Sequence, residues 1–307
     1  MVGKRGLPPL GVSAIQPAGA SRPSQPRDFL SYFILCLSLL PWQSRLKMSA
    51  HLQTSKATRA HPKTVEIHIK RRANPDSPQY WERFELPYRP NLNIISCLMD
   101  IQKNPVTMEG TPTTPPVWQA NCLEQVCGIC TMIINGRARQ SCSALVDKLE
   151  QPIKLEPMEK FPNIRDLVVD RSQMFDHLKR VHAWIDLDGT HDLGPGPRMD
   201  QDLVQERYAY SRCMTCGCCL EACPQYDGDN YIGPQAIAQV RLFNMHPTGE
   251  MSRDARLEGI MQEDGITNCG NAQNCVKACP MGIPLTRAIY EENRETVVHG
   301  LFGWLKK

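Results

Sequence analysis

The chain lacks most of the devices that would let it carry out substrate chemistry alone. Gly194-Pro195-Gly196-Pro197 is no dinucleotide fingerprint, because it has neither the third glycine nor a preceding strand. No nucleophile elbow and no phosphate-binding loop occurs. The histidines, among them His177, His182 and His246, are scattered and read as solvated or core residues. A net charge of +3 is too small to argue for nucleic acid, and no basic run with interleaved aromatics supports one. The apolar run from Phe29 to Leu40 falls short of the roughly 20 residues that cross a bilayer. Any substrate chemistry therefore lies in a partner.

Acidic residues are scarce at the start: residues 1–47 hold six basic residues and one acid, Asp28. Basic residues ahead of a short apolar stretch resemble a signal peptide, and an acid-poor, arginine-bearing leader resembles a transit peptide. Yet no clear small-residue cleavage site follows Leu40, and no twin arginine precedes the run. Arg71-Arg72, the one such pair, lies inside the first expected strand. Residues 1–47 are read as a disordered or spurious leader, with the folded protein starting near Met48.

Cysteine, by contrast, is abundant. Eleven of the fourteen cysteines fall into three runs. Cys122-x4-Cys127-x2-Cys130-x11-Cys142 has the spacing of plant-type 2Fe–2S ligands, and Cys213-x2-Cys216-x2-Cys219-x3-Cys223-Pro224 has the bacterial ferredoxin spacing. The third run, Cys269-x5-Cys275-x3-Cys279-Pro280, repeats that outline with Ala272 at its second ligand position. Four cysteines between 213 and 219 suit metal ligation better than disulfides between distant segments, and point to a reducing compartment. Zinc also uses Cys-x2-Cys pairs, but seldom three ligands in one seven-residue run. Cys97 reads as a small core residue, and Cys218, out of register with its run, as a bystander; Cys36 is left over.

The fold class expected is α+β: an N-terminal β-grasp 2Fe–2S ferredoxin domain over 62–155, then an all-α bacterial-ferredoxin-type domain over 156–307. Val65, Ile67 and Ile69 alternate with polar residues as in a half-buried strand, and residues 81–86 form its partner beyond the Asn74-Pro75-Asp76 turn. Ile94, Ile95, Leu98, Met99 and Ile101 have helical spacing behind a cap at Asn91 or Asn93. Met132-Ile133-Ile134 before Asn135-Gly136 signals a hairpin with a type I′ turn, and residues 103–116 form a loop into the cysteines. Further on, Met174, Phe175, Leu178, Val181 and Trp184 line one helical face behind a cap at Ser172. Residues 186–200 are a loop, and Pro234 and Pro284 each open a helix.

In the first run, Cys122, Cys127, Cys130 and Cys142 supply two thiolates to each of two irons, with Gly128 relieving crowding near sulfide. In the second, Cys213, Cys216 and Cys219 hold one 4Fe–4S cluster while Cys223 crosses to the next. By pseudo-symmetry Cys279 crosses back as the fourth ligand. The other cluster then receives Cys223, Cys269 and Cys275. Ala272 offers no donor, so that cluster is expected to be 3Fe–4S.

These motifs, CLEQVCGICTMIINGRARQSC (122–142), CMTCGCCLEACP (213–224) and CGNAQNCVKACP (269–280), resemble the iron–sulfur subunit of succinate dehydrogenase and fumarate reductase. The resemblance covers most of residues 62–298, extends to Cys218 and Ala272, and leans toward the bacterial, Bacillus-like branch. It implies an electron-transfer subunit of succinate dehydrogenase (quinone), at the cytoplasmic face of the cell membrane. Its partners would be a flavoprotein subunit with FAD and a membrane-anchor subunit of cytochrome b type. Electrons would pass through 2Fe–2S, 4Fe–4S and 3Fe–4S clusters to a quinone, linking the tricarboxylic acid cycle to respiration. The family's quinone site corresponds to Pro224, Gln225 and Tyr226, followed by Asp227. The serine, paired tryptophans and histidine of ubiquinone-reducing members are missing, with Gly270 at the histidine position, so menaquinone is expected. The alternatives are a fumarate reductase subunit, the small domain of a molybdenum hydroxylase, and a stand-alone multi-cluster carrier or redox sensor.

Overall fold

The structure is a computed structural model, and it describes residues 63–186 and 197–303. The leader, Cys36 and most of the Gly/Pro-rich loop around Gly194 lie outside the described residues.

Apolar alternation makes the first two strands. β1 (Thr64–Arg71) buries Val65, Ile67 and Ile69 and pairs antiparallel with β2 (Tyr80–Pro87) across the Asn74 turn. α1 (Ile94–Lys103) is capped by Asn93, whose side chain accepts the Ser96 N–H at 2.8 Å; Asn91 instead has positive φ. β3 (Thr131–Ile134) and β4 (Arg137–Gln140) form the expected hairpin, with φ of 49° at Asn135 and 75° at Gly136. β5 (Ile153–Glu156) lies parallel to β1 and antiparallel to β3, completing a five-stranded sheet in the order β2-β1-β5-β3-β4. Ile94, Cys97, Leu98 and Ile101 of α1 pack against the sheet's apolar face. This is a β-grasp.

A short hairpin that the sequence reading did not contain follows, β6 (Asn163–Arg165) with β7 (Val168–Val169). Buried Asp166 fastens it: its carboxylate accepts from Arg71 Nε at 2.9 Å and from the backbone N–H of Arg72 and Val117. Arg71 also pairs with Glu82 of β2.

The remainder is helical: α2 (Ser172–Arg180), α3 (Gln201–Ser211), α4 (Cys218–Glu221), α5 (Pro234–Asn244), α6 (Arg253–Ile260), α7 (Asn274–Ala278) and α8 (Leu285–Phe302). Pro234 takes the first position of α5, and Pro284 immediately precedes α8. The α2 expectation needs correcting. Asp170, not Ser172, accepts the first free N–H, and the helix stops at Arg180. Met174, Val181 and, in part, Leu178 pack inward, while Phe175 and Trp184 are exposed. α3 went unrecognised from sequence. Beneath these helices lies a second core that includes Met174, Leu220, Ile237, Val240 and Ala288.

Candidate iron–sulfur centres

The β3–β4 hairpin explains the eleven-residue gap in the first cysteine run. Thr131 faces Gln140 at its open end, so Cys130 and Cys142 emerge side by side. Ser141 secures the join, its hydroxyl donating to the Cys130 carbonyl at 2.6 Å. Ahead of the hairpin, Leu123, Gln125 and Gly128 adopt positive φ and curl the loop inward. Cys122 Sγ then accepts three backbone N–H groups, from Glu124, Val126 and Cys127, at 3.3–3.4 Å. Those donors hold its thiol down to about 7, whereas burial pushes Cys142 up to about 11 with Cys130 adding to it. Three of the four thiols sit on this loop, and Cys142 joins them from beyond the hairpin.

The second and third runs share one backbone design. Thr215 and Gly217 have positive φ around Cys216, and Asn271 and Gln273 have positive φ around Ala272. Gly217 and Gln273 each cap a short helix, α4 and α7, that carries the next cysteine. Ala272 therefore occupies in the third run the place that Cys216 holds in the second. The fourth cysteines exchange. One cavity is lined by Cys213, Cys216, Cys219 and Cys279; another by Cys223, Cys269, Cys275 and Ala272.

The donor chemistry of both cavities suits a cluster. Neither is lined by a carboxylate or a histidine, and soft thiolates are what iron–sulfur iron takes. Each is also lined by one buried residue whose side chain carries a donor. Gln235, whose Nε2 has no hydrogen-bond partner, lines the first, and Tyr231, whose hydroxyl lies against the Cys269 thiol, lines the second. Both are placed to donate to sulfur. Among the described residues no group of three His, Cys, Asp or Glu side chains is set to hold a single metal ion. The thiols ring a volume rather than a point.

Residues 65–176 match the 2Fe-2S iron-sulfur cluster binding domain family, and residues 209–283 the 4Fe-4S dicluster domain family. The succinate dehydrogenase iron–sulfur subunit of Bacillus subtilis is 58% identical over 235 residues, covering 76% of this chain and 93% of that one. The chain belongs to the family of succinate dehydrogenase iron–sulfur subunits. Within this wider group, the fumarate reductase iron–sulfur subunit of Wolinella succinogenes is 32% identical over 180 residues, 57% of this chain and 75% of that one. A chain of the Mycobacterium smegmatis Sdh1 complex in the apo form shares the fold, with a TM-score of 0.61 at 22% identity, covering 77% of this chain and 96% of that one.

Other expected residues fall as follows in this iron–sulfur subunit. Pro224 and Gln225 line the cavity that holds Ala272. Tyr226 instead turns into the core against Phe161 and His177, with ring centroids 6.0 and 6.2 Å away. Gln225 lies over Gly270, where an added Cβ would meet its amide nitrogen at 2.5 Å. Cys97 is fully buried, and burial pushes its thiol up to about 12. Cys218 is buried too, accepting from Gln140 Nε2 at 3.4 Å. Its S–H lies against Cys216, which holds the Cys216 thiol down and its own up.

Gly128 also has a reason that the sequence did not show. A Cβ there would come within 2.7 Å of Cys216 Cβ and 2.8 Å of Cys216 Cα. The glycine lets the first cysteine loop press against the second run. Sequence reasoning also missed Lys160, whose ammonium donates to the carbonyls of Cys223 and, at 2.8 Å, Tyr226. Glu221 supports it by accepting the N–H groups of Glu159 and Lys160. Nothing in the local sequence marks that lysine, because its partners lie some 60 residues away.

Proposed function

We propose that this subunit conducts electrons from FAD in a flavoprotein partner, through three clusters, to a membrane quinone, with succinate as the donor. The ligands assigned are Cys122, Cys127, Cys130 and Cys142 for 2Fe–2S; Cys213, Cys216, Cys219 and Cys279 for 4Fe–4S; and Cys223, Cys269 and Cys275 for 3Fe–4S. Residues 62–155 and 156–307 are assigned as the two domains. The observation that carries this reading is the exchange of Cys223 and Cys279 between two thiol-lined cavities, one of them a ligand short at Ala272.

When bound, the clusters supply one-electron carriers in series. The chain supplies thiolates, the buried donors of Gln235 and Tyr231 and a water-poor setting for them. Lys160 steadies the loop after Cys223, so that Pro224 and Gln225 present one wall to a quinone head group; Tyr226 contributes its carbonyl to that tie rather than its ring. The missing histidine at Gly270, with Gln225 filling its space, supports menaquinone. No helix among the described residues is long and apolar enough to cross a membrane. Attachment at the cytoplasmic face, through an anchor subunit of cytochrome b type, completes the proposal. The 58% identity to a succinate dehydrogenase subunit, against 32% to a fumarate reductase subunit, favours the oxidative direction.

Two measurements on the co-purified complex test it. The oxidised complex should give a 3Fe EPR signal that Ala272→Cys converts to a 4Fe–4S signal. Succinate oxidation should run faster with menaquinone analogues than with ubiquinone analogues. Absence of a 3Fe signal, or purification without any flavoprotein, would defeat the reading.

A further inference from the structure

The wall between the first cysteine loop and the second run contains an unusual cation. Arg171, at the start of α2, donates from Nη1 to the Gly128 carbonyl at 2.9 Å and from Nη2 to the carbonyls of Ile129 at 2.9 Å and Thr131 at 3.3 Å. Its Nε has no partner. Among the described residues no carboxylate pairs with it; burial lowers its pKa, and the groups opposing that are Cys216, Cys218, Cys130 and Cys127, in that order. A guanidinium stays charged in such a setting. The cation thus faces cysteines of two different clusters, across the contact where Gly128 leaves no room for a Cβ against Cys216.

We propose that Arg171 is a shared counter-ion for the 2Fe–2S and 4Fe–4S clusters, a positioning residue that raises the reduction potential of both and leaves the third cluster untouched. This rests on the cluster assignment above. Both clusters are anionic when ligated by four thiolates, and each gains a further negative charge on reduction. A fixed positive charge tied to the carbonyls of Gly128, Ile129 and Thr131, beside Cys127 and Cys130, and facing Cys216 favours each reduced form, by on the order of tenfold in the reduction equilibrium at a protein-like dielectric. The three carbonyl contacts hold the charge in place, since backbone groups of the loop cannot swing away as a side-chain partner could. In the transfer between them one electron leaves a formally ferrous site and reduces a ferric site of the neighbour. No bond is made or broken, no proton moves, and Arg171 itself is neither oxidised nor reduced.

The test is an EPR-monitored redox titration of the intact complex, comparing wild type with Arg171→Gln and Arg171→Lys. Arg171→Gln should lower the 2Fe–2S and 4Fe–4S midpoints together, by about 59 mV for each tenfold change in a one-electron equilibrium, while the 3Fe–4S midpoint stays put. Arg171→Lys, which keeps the charge but loses the fork, should hold both midpoints within about threefold of wild type in the same equilibrium. Unchanged midpoints in Arg171→Gln, a shift in only one cluster, or equal shifts in both variants would overturn the proposal. If Arg171→Gln does not assemble its clusters, Arg171→Met takes its place as the charge-free variant: both midpoints lower by about 59 mV for each tenfold sustain the proposal, and unchanged midpoints refute it. A wild-type complex without the three signals would instead defeat the cluster assignment.

Discussion

At the scale of the residue, the site is governed by where side chains cannot be. Gly128 has a φ of 69° and faces Cys216, so Gly128→Ala meets two penalties at once. A left-handed conformation costs an L-residue about 1–2 kcal/mol, and the Cβ clash adds to this because its nearest atoms include the Cys216 backbone. The relief available is for the first cysteine loop to move off the second run. The variant should lower the thermal midpoint of the complex and weaken the magnetic interaction between the 2Fe–2S and 4Fe–4S centres in EPR. An unaltered spectrum and midpoint would show that the close approach is not needed. The glycine was visible in the sequence, but this reason for it was not, because the atom it avoids lies 88 positions along the chain.

At the scale of the element, legibility followed how local the determinants were. β1, α1, the β3–β4 hairpin and the starts of α5 and α8 were readable, since alternation, an Asn cap, Asn-Gly and Pro are short-range signals. α3 was not, because only Tyr210 of its eleven residues is buried and no apolar stripe marks it. The β6–β7 hairpin depends on Asp166 reaching Arg71 across 95 residues, which no window can contain. The placing of Cys279 beside the second run and Cys223 beside the third was legible because the spacing of the runs implies it. The packing of α5, α6 and α8 hid a further feature, the fully buried Glu292 on α8. It accepts from Asn244 Nδ2 at 2.9 Å, with Arg241 3.8 Å away. Burial pushes its carboxyl up to about 7. The folded protein therefore keeps a proton that the unfolded chain releases near 4.5, and stability falls as pH rises from that value through about 7. Glu292→Gln should remove this slope and stabilise the complex by about 1–3 kcal/mol at pH 8, with little effect at pH 5. Thermal midpoints of the two proteins at both pH values would check it, and an equal offset at both would refute the buried-proton account.

At the scale of the whole molecule, the three proposed centres form a series because each junction is made by a different piece of chain. Gly128 brings the 2Fe–2S loop against Cys216. α4 and α7 tie the second centre to the third: Cys219 on α4 lines one cavity and Cys223, just past its end, the other, while Cys275 and Cys279 do the reverse around α7. No such contact joins the first cysteine loop to the cavity of Cys223, Cys269 and Cys275 among the residues that line it. The middle centre should therefore be obligatory rather than one of two routes. Cys213 and Cys279 together test this with the least collateral damage, since neither lies on α4 or α7. Replacing both Cys213 and Cys279 by alanine leaves two thiolates at the middle site, one fewer than a 3Fe–4S cluster takes, and should abolish the 4Fe–4S signal while leaving the other two. Freeze-quench EPR after adding succinate to the complex should then show the 2Fe–2S centre reduced and the 3Fe–4S centre still oxidised, although dithionite with a mediator reduces it. Reduction of the 3Fe–4S centre at the wild-type rate would mean that electrons bypass the middle, and that the order read from the shared helices is wrong.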